Sequence, residues 1–192
     1  MSEEQCLQLF KKTGALLTGH FLLTSGLHSE RYFQCAKVLQ YPEYAEILCS
    51  HIARHFEEKS PDLVIAPALG GLIAGHEAAR ALGVRFVFTE RENGQMSLRR
   101  GFEIHTGEKA LVVEDVITTG GSVREVREVV KQFGATPVGV GCIVDRSGGQ
   151  VDFGVTFFSL LDLQIEAHPP ETCALCQQGM PLVKPGSRKI DG

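Results

Sequence analysis

The sequence lacks several features that would place it in a particular class of protein. Its formal net charge is only −4, so a broad basic face for non-specific nucleic-acid binding is not indicated. No apolar run approaches the length of a membrane-spanning helix. The charged N-terminal stretch lacks the apolar core of a signal peptide. We therefore expect a cytoplasmic protein with neither a membrane nor a nucleic-acid partner.

Disulfide bonds are not expected either, because the six cysteines are not accompanied by a secretory signal. Two of them, Cys173 and Cys176, form a C-x-x-C pair that follows closely after His168. A protein zinc site usually has four ligands, or three and a water, and no second C-x-x-C is present. Reduced structural thiols are favoured over a metal or redox role, and we assign no metal ligand from the sequence.

The composition that is present, 43% hydrophobic and 22% charged over 192 residues, is typical of one compact globular domain. From residue 62 onward apolar strand patterns alternate with helical patterns, which predicts an α/β fold with a doubly wound parallel sheet flanked by helices. The stretch RENGQMSLRRG is predicted to be a polar loop. We divide the chain into a small N-terminal hood (1–60), an α/β core (61–165) and an irregular C-terminal tail packed on the core (166–192).

Ligands of such sheets bind beyond the carboxyl ends of the strands. This rule brings three predicted loops to one rim: 67–71, 89–100 and 115–122. The last of them belongs to the stretch LVVEDVITTGGS, in which glycines and hydroxyl residues lie between a strand and a helix. Backbone N–H groups of such a loop can hold a phosphate, although a simple capped turn is the alternative. The stretch contains neither GxxxxGK[ST] nor GxGxxG.

An acidic pair, Glu114 and Asp115, precedes this loop. A carboxylate beside a phosphate is repelled unless a hydrogen-bond donor or a cation lies between them. A sugar phosphate meets this condition, so the pair fits the 2- and 3-hydroxyls of a ribose 5-phosphate. A solvated strand end or a Mg²⁺ site remains as the alternative for the pair.

The stretch VVEDVITTGGS resembles the phosphoribosyl-pyrophosphate signature of the type I phosphoribosyltransferases, and PALGG at 67–71 resembles their pyrophosphate loop. The resemblance implies the type I phosphoribosyltransferase fold and Mg²⁺ carried mainly by phosphoribosyl pyrophosphate. It also implies that this substrate is bound by Glu114, Asp115, Val116, Ile117, Thr118, Thr119, Gly120, Gly121, Ser122, Arg91, Ala68 and Gly70.

Three further segments resemble the orotate phosphoribosyltransferases: FLLTSGLHSERYF, IVDRSGG and GMPLVKPGSR. This resemblance implies that Tyr32 and Phe33 stack on orotate, that Arg146 meets its carboxylate and that Thr118 contacts it. The implied reaction joins the phosphoribosyl group to N1 of orotate, giving orotidine 5′-monophosphate and diphosphate. From the residues alone, Tyr32 and Phe33 could be core aromatics and Arg146 a surface charge.

The sequence departs from the family pattern in three places. Gly70 stands where several relatives have a lysine, and Thr24 stands where a lysine often precedes SG. The loop TERENGQMSLRRG has neither the lysines nor the histidine of many relatives. Arg91 matches a cationic position of the family. We assign catalytic roles to Arg99 and Arg100, which could supply the closing charge, together with Glu114 and Asp115.

In the family this loop reaches the site of a neighbouring subunit, so the resemblance implies a homodimer. Two other functions are compatible with the same core. One is a phosphoribosyltransferase for a purine or another base, which would need a different hood. The other is a non-catalytic regulator that senses phosphoribosyl pyrophosphate.

Overall fold

The computed structural model describes residues 1–23, 25–163 and 167–185. Thr24, which departs from the family pattern, lies outside these ranges, as does the end of GMPLVKPGSR. Within the described ranges, no helix combines the length and apolar character needed to cross a membrane.

Helices and strands alternate through most of the chain. The helices are α1 (Glu3–Lys12), α2 (Cys35–Leu39), α3 (Pro42–Phe56), α4 (Gly71–Leu82), α5 (Gly121–Gln132) and α6 (Ala174–Gln177). The strands are β1 (Leu16–Leu22), β2 (His28–Phe33), β3 (Leu63–Pro67), β4 (Arg85–Glu92), β5 (Gln95–Leu98), β6 (Lys109–Ile117), β7 (Thr136–Asp145), β8 (Thr156–Asp162) and β9 (Ala167–His168).

The larger sheet formed by the described residues has six strands in the order β5-β4-β3-β6-β7-β8. The strands β4, β3, β6, β7 and β8 are parallel, whereas β5 is antiparallel to β4. The α/β prediction and its parallel sheet are confirmed. The prediction of a polar loop over RENGQMSLRRG was wrong, because Asn93 and Gly94, both with positive φ, form the tight turn of a hairpin.

The sheet is covered on both faces, which explains its apolar strands. Every residue of β3 is buried. One core cluster joins the sheet to α3, α4 and α1, and a second joins it to α5. Two glycines of β7 let α3 approach closely, since a Cβ at Gly139 would meet Phe56 and one at Gly141 would meet Ile52.

A smaller sheet lies near the N-terminus, in the order β1-β2-β9. The strands β1 and β2 form an antiparallel hairpin, and β9 from the C-terminal tail adds to β2 through the pair His28↔His168. Val183 adds to β1 beside Phe21. The described part of the tail thus hydrogen-bonds to the N-terminal hairpin, while the division into hood, core and tail stays a prediction.

Candidate functional site

The carboxyl ends of β3, β6 and β7 meet at one edge of the larger sheet. The parallel register pairs Ile117 at the end of β6 with Asp145 at the end of β7. The next residue, Arg146, donates its backbone N–H to the Ile117 carbonyl at 2.8 Å. This edge therefore brings the acidic pair of β6 and the arginine after β7 together, as the strand-end rule predicts.

Two adjoining cavities open at this edge. The first, here called the loop cavity, has a volume of about 470 Å³ and is lined by residues 67–70 and 114–123. The second, here called the hairpin cavity, measures about 700 Å³ and is lined by residues of β2, the start of α2, Arg146 and the tail. Leu69, Gly70, Asp115 and Val116 line both cavities.

Two helices begin at the loop cavity, α4 at Gly71 and α5 at Gly121. Neither has a side-chain cap or an acidic residue in its first turn. Their first N–H groups and positive dipole ends are therefore suited to bind anions. Gly120 turns the chain into α5 with φ of 74°, and a Cβ there would lie 2.9 Å from the Phe153 ring. Glycine is required at this turn both for its φ and for its size.

The acidic pair lies between the two helix starts. The Oδ1 of Asp115 accepts a hydrogen bond from the Val116 N–H at 2.8 Å, and Glu114 Oε1 accepts one from the Asp115 N–H at 3.1 Å. Glu114 is buried and lines only the loop cavity, whereas Asp115 lines both. Burial raises the pKa of Asp115, while hydrogen bonds from Glu114 and Val116 act in the opposite direction.

Two glycines of the 67–71 loop make room for these carboxylates. A Cβ at Gly70 would lie 2.6 Å from Oδ1 of Asp115, and one at Gly71 would lie 3.0 Å from Oε1 of Glu114. The carboxylate of Asp115 thus lies directly against the loop backbone. Gly70, where several relatives carry lysine, has no room for a side chain unless Asp115 moves.

Arg146 is a half-buried cation in the wall of the hairpin cavity. Burial lowers the pKa of Arg146, whose Nε is buried and has no hydrogen-bond partner among the described residues. Tyr32, whose pKa burial raises, lines the same cavity, and its ring packs against Phe21 with centroids 5.8 Å apart. A guanidinium and an aromatic ring on one wall suit a planar ligand that carries a carboxylate.

Two predicted orotate contacts, Phe33 and Thr118, lie in different surroundings from Tyr32 and Arg146. Phe33 borders the hairpin cavity, but its ring is buried in the core with its centroid 5.8 Å from that of Phe10. Successive strand residues point to opposite faces, so Tyr32 and Phe33 face different ways, and the stacking role of Phe33 stays a prediction. Thr118 lies in the loop cavity and does not line the hairpin cavity.

The hairpin cavity also contains residues that the sequence did not suggest. Lys184 and Pro185 from the C-terminal tail line it, as does Ile73 of α4. The only signal for the tail was the resemblance of GMPLVKPGSR to one branch of the orotate enzymes, which gave no position in space.

The arginines of the 89–100 segment are paired with nearby carboxylates. Arg91 binds Glu125, Arg99 binds Glu92, and Arg100 makes two hydrogen bonds to Glu90 of 2.7 and 2.8 Å. None of these arginines lines the loop cavity or the hairpin cavity as the described residues form them. Their assignment to phosphoribosyl pyrophosphate or to catalysis stays a prediction.

The fold and the loop cavity agree with a sequence match to the phosphoribosyl transferase domain over residues 37–168. The chain belongs to the phosphoribosyltransferase family, and the type I fold expected from the sequence is confirmed.

Its curated relatives include two proteins named orotate phosphoribosyltransferase, each 58% identical to this chain. The protein of Desulforamulus reducens matches over 190 residues, 99% of this chain and all of that protein. The protein of Caldicellulosiruptor bescii matches over 189 residues, 98% of this chain and all of that protein.

Solved structures of similar proteins have the same fold. The orotate phosphoribosyltransferase of Aeropyrum pernix superposes with a TM-score of 0.70 at 27% identity, covering 82% of this chain and 93% of that one. The UMP synthase of Leishmania donovani reaches 0.72 at 18% identity, covering 85% of this chain and 37% of that one, which supports the fold alone.

Proposed function

We propose that this protein is an orotate phosphoribosyltransferase, a glycosyltransferase of pyrimidine biosynthesis. It transfers the 5-phosphoribosyl group of phosphoribosyl pyrophosphate to N1 of orotate, giving orotidine 5′-monophosphate and diphosphate. The observation that carries the proposal is Asp115, whose carboxylate lies at the junction of the loop cavity and the hairpin cavity. The relatives that match over their whole length at 58% identity support the same substrates.

The loop cavity receives phosphoribosyl pyrophosphate. The N–H groups at the start of α5, with Thr118, Thr119 and Ser122, bind the 5-phosphate, and the 67–71 loop at the start of α4 binds the diphosphate. Asp115 accepts hydrogen bonds from the ribose hydroxyls, and Glu114, buried behind it, supports that role. The sugar then spans the space between two anion sites, with its C1 directed toward the hairpin cavity.

The hairpin cavity receives orotate. The planar guanidinium of Arg146 binds the orotate carboxylate, which completes the hydrogen bonding of a buried Nε. Tyr32 stacks on the pyrimidine ring. Lys184 at the cavity wall adds a second positive charge near an anionic substrate.

The reaction needs positioning and charge stabilisation rather than a covalent nucleophile. The bond from C1 to the diphosphate oxygen breaks and the oxygen keeps the electron pair. N1 of orotate releases its proton to solvent and forms the new bond to C1. Positive charge develops on the ribose, next to the carboxylate of Asp115. Negative charge develops on the diphosphate, which the N–H groups of the 67–71 loop face.

Phosphoribosyltransferases generally use Mg²⁺ with phosphoribosyl pyrophosphate, and the residues present fit such an ion. Asp115 offers hard carboxylate oxygens at the cavity junction, close to the Gly70 backbone. Mg²⁺ favours oxygen ligands and keeps several waters, so Asp115 would hold it together with substrate oxygens. When bound, it neutralises charge on the leaving diphosphate.

We also place the protein in the cytoplasm as a homodimer. The dimer is supported by the arginines of the 89–100 segment, which line neither cavity of their own chain. Light scattering across a concentration series tests the assembly. Mixing Asp115→Asn protein with an Arg99→Ala/Arg100→Ala variant tests whether the arginines act across the dimer. Recovery of activity in the mixture supports this role, and no recovery in a mixture that forms heterodimers contradicts it.

The function is tested by following the ultraviolet band of orotate. Purified protein, phosphoribosyl pyrophosphate and Mg²⁺ should consume orotate, and chromatography should recover orotidine 5′-monophosphate and diphosphate in equal amounts. Turnover of adenine or hypoxanthine without orotate would assign the protein to purine bases. No turnover of any base by protein that still binds phosphoribosyl pyrophosphate would indicate a sensor.

A further inference from the structure

Four metal-ligating side chains converge outside the cleft. His20 lies on β1, His28 on β2, and Cys173 and Cys176 at the beginning of α6. Their candidate ligand atoms all lie within 4.8 Å of one another. The Nε2 of His20 is 2.9 Å from His28 Nδ1, 3.5 Å from Cys173 Sγ and 3.7 Å from Cys176 Sγ. The Nδ1 of His28 is 3.1 Å from Cys176 Sγ.

These distances suit a tetrahedral ion. With Zn–N bonds of about 2.0–2.1 Å and Zn–S bonds of about 2.3 Å, neighbouring ligand atoms lie about 3.3–3.8 Å apart. Two of the measured distances fall in this range and two are slightly shorter. Small side-chain movements would therefore bring all four atoms to bonding distance around one centre.

The orientation of His20 supports the same conclusion. Its Nδ1 lies 2.8 Å from the carbonyl oxygen of Met180. A carbonyl oxygen only accepts hydrogen bonds, so Nδ1 must carry the proton and donate it. The lone pair of a neutral His20 is then on Nε2, the atom that faces the other three side chains. Metal-binding histidines are usually fixed by a hydrogen bond of this kind from the second nitrogen.

The chemistry of the four side chains indicates which metal they would bind. Two thiolates and two imidazoles are typical of zinc, whereas Mg²⁺ requires oxygen ligands. His20, His28 and Cys173 are 3%, 4% and 2% exposed, so three of the four groups are closed off from solvent. Cys176 is exposed, but a complete set of four protein ligands, three of them buried, is typical of a structural site rather than a catalytic one.

The cluster joins two distant parts of the chain beside the hairpin cavity. Val183 donates its N–H to the His20 carbonyl at 2.8 Å and accepts from the Leu22 N–H at 2.9 Å. The residues that follow, Lys184 and Pro185, line the hairpin cavity. An ion at the cluster would fix the tail on β1 and so fix the position of Lys184.

We propose that His20, His28, Cys173 and Cys176 bind one structural Zn²⁺ that fastens the C-terminal tail to the N-terminal hairpin. In the sequence the C-x-x-C pair has only His168 close by, and in the structure His20 and His28 complete a set of four. Their eight-residue spacing is not a familiar zinc motif. They meet because His20 and His28 lie diagonally across the β1–β2 hairpin, with ring centroids 4.8 Å apart.

The test begins with metal content. Protein purified without a histidine tag or chelator, under reducing conditions, should contain about one zinc per chain by elemental analysis. Protein stripped of metal and given Co²⁺ should show the intense visible bands of tetrahedral cobalt and a thiolate-to-cobalt band. Zinc and cobalt levels no higher than those of Cys173→Ser/Cys176→Ser protein, or a Cys173–Cys176 disulfide in the reduced preparation, would overturn the proposal.

Stability gives a second readout that does not depend on a foldable variant. A strong chelator should lower the Tm of the wild-type protein by roughly 10 °C, and Zn²⁺ alone should restore it. The matched control is Cys6→Ala/Cys49→Ala, which removes two buried cysteines outside the cluster. This control should keep its zinc and its response to the chelator. A wild-type Tm that the chelator leaves unchanged would contradict a structural ion.

The effect on the cleft rests on the proposed function and has its own measurement. Protein stripped of zinc, freed of the chelator and assayed with excess Mg²⁺ should show a larger rise in the KM for orotate than in the KM for phosphoribosyl pyrophosphate. Of the two cavities, only the hairpin cavity is lined by residues from the described part of the tail. Equal changes in both constants would contradict the link to Lys184. Zinc content and Tm are measured without substrate, so failure of the proposed function would leave the zinc result intact.

Discussion

The two cavities of the cleft are built in different ways. The loop cavity is formed mainly by backbone at the starts of α4 and α5, where glycines set the conformation. The hairpin cavity is formed by side chains from separate segments, including Tyr32, Arg146 and Lys184. Backbone binding depends on the fold and tolerates many side-chain changes, whereas side-chain binding can be altered one residue at a time. Backbone binding in the loop cavity suits the phosphoribosyl donor, which all members of the family share. Side-chain binding in the hairpin cavity suits the base, which differs between members.

Asp115 belongs to both cavities, so its substitution should have the largest effect. Asp115→Asn keeps the size of the side chain but removes the charge beside the developing positive ribose. We expect kcat/KM to fall by roughly 10²–10³-fold for either substrate, as for the loss of one preorganised electrostatic contact. Steady-state kinetics with each substrate varied in turn measures this. The control is Asp162→Asn, an exposed residue at the end of β8. If kcat/KM falls no further in Asp115→Asn than in Asp162→Asn, Asp115 has no part in the mechanism.

Substitution of Arg146 should weaken binding in the hairpin cavity and leave binding in the loop cavity nearly unchanged. Arg146→Ala removes the guanidinium from the hairpin cavity only, and hydrogen bonds to charged groups contribute about 1.5–3 kcal/mol, so the KM for orotate should rise roughly 10–100-fold. The KM for phosphoribosyl pyrophosphate should change little. Product-formation assays give both constants.

The matched control for Arg146 is Arg124→Ala, because Arg124 donates to the Thr119 carbonyl at 2.6 Å in the 115–122 loop. The Arg124→Ala variant should raise the KM for phosphoribosyl pyrophosphate more than the KM for orotate. If Arg146→Ala weakens both substrates equally, the carboxylate assignment is wrong.

Gly120 should have a smaller effect, confined to the loop cavity. Gly120→Ala places a methyl group at a φ of 74° and 2.9 Å from Phe153. We expect the KM for phosphoribosyl pyrophosphate to rise roughly tenfold and the free energy of unfolding to fall by about 1–3 kcal/mol. Kinetics and denaturant unfolding measure the two effects.

Gly83→Ala is the control for backbone strain, since Gly83 has a φ of 70° and nothing within 4 Å of an added Cβ. It should lose stability without any change in KM. An equal rise in KM in Gly83→Ala would mean that the kinetic effect is not local to the loop.

The smallest expected effect is the pH dependence of stability. Burial raises the pKa of Asp115 in the folded protein, so protonation of this group favours folding. This contribution is fully present below the unfolded pKa and is lost as the pH rises through the folded pKa. Asp115→Asn should therefore have a higher Tm than the wild type near pH 8, with a gap that narrows toward about pH 4. A gap that is constant across this range would contradict the raised pKa.

The loop cavity could be predicted from the sequence because its residues are nearly contiguous. The strand, the acidic pair, the glycines and the helix start follow one another between residues 111 and 122. Their chemistry depends on local backbone conformation, which residue types indicate directly. Arg146 was suggested by the resemblance of IVDRSGG to the orotate enzymes, and it lies at the same edge as Asp115 because it follows a parallel strand of the same sheet.

The hairpin cavity was predicted less completely, for physical reasons. The stacking role of Phe33 stays a prediction, because alternation along the strand turns its ring away from the face of Tyr32 and toward Phe10. Away from this cavity, the sequence analysis also missed the separate β4–β5 hairpin. Its arms are polar, which favoured a loop, even though Asn93–Gly94 is a strong turn signal. Lys184 and the pairing of His20 with Cys173 depend on contacts between the two ends of the chain, which no local pattern encodes.

The closeness of Gly70 and Asp115 has a consequence for how this protein could change over generations. With a Cβ at residue 70 only 2.6 Å from the carboxylate, even alanine there would displace the acid at the centre of the cleft. A lysine gained at this position would have to turn the carboxylate of Asp115 aside, so its effect would depend on the side chain at residue 115. In a mutational scan, residue 70 should show strong epistasis with residue 115 although its own side chain is a single hydrogen atom.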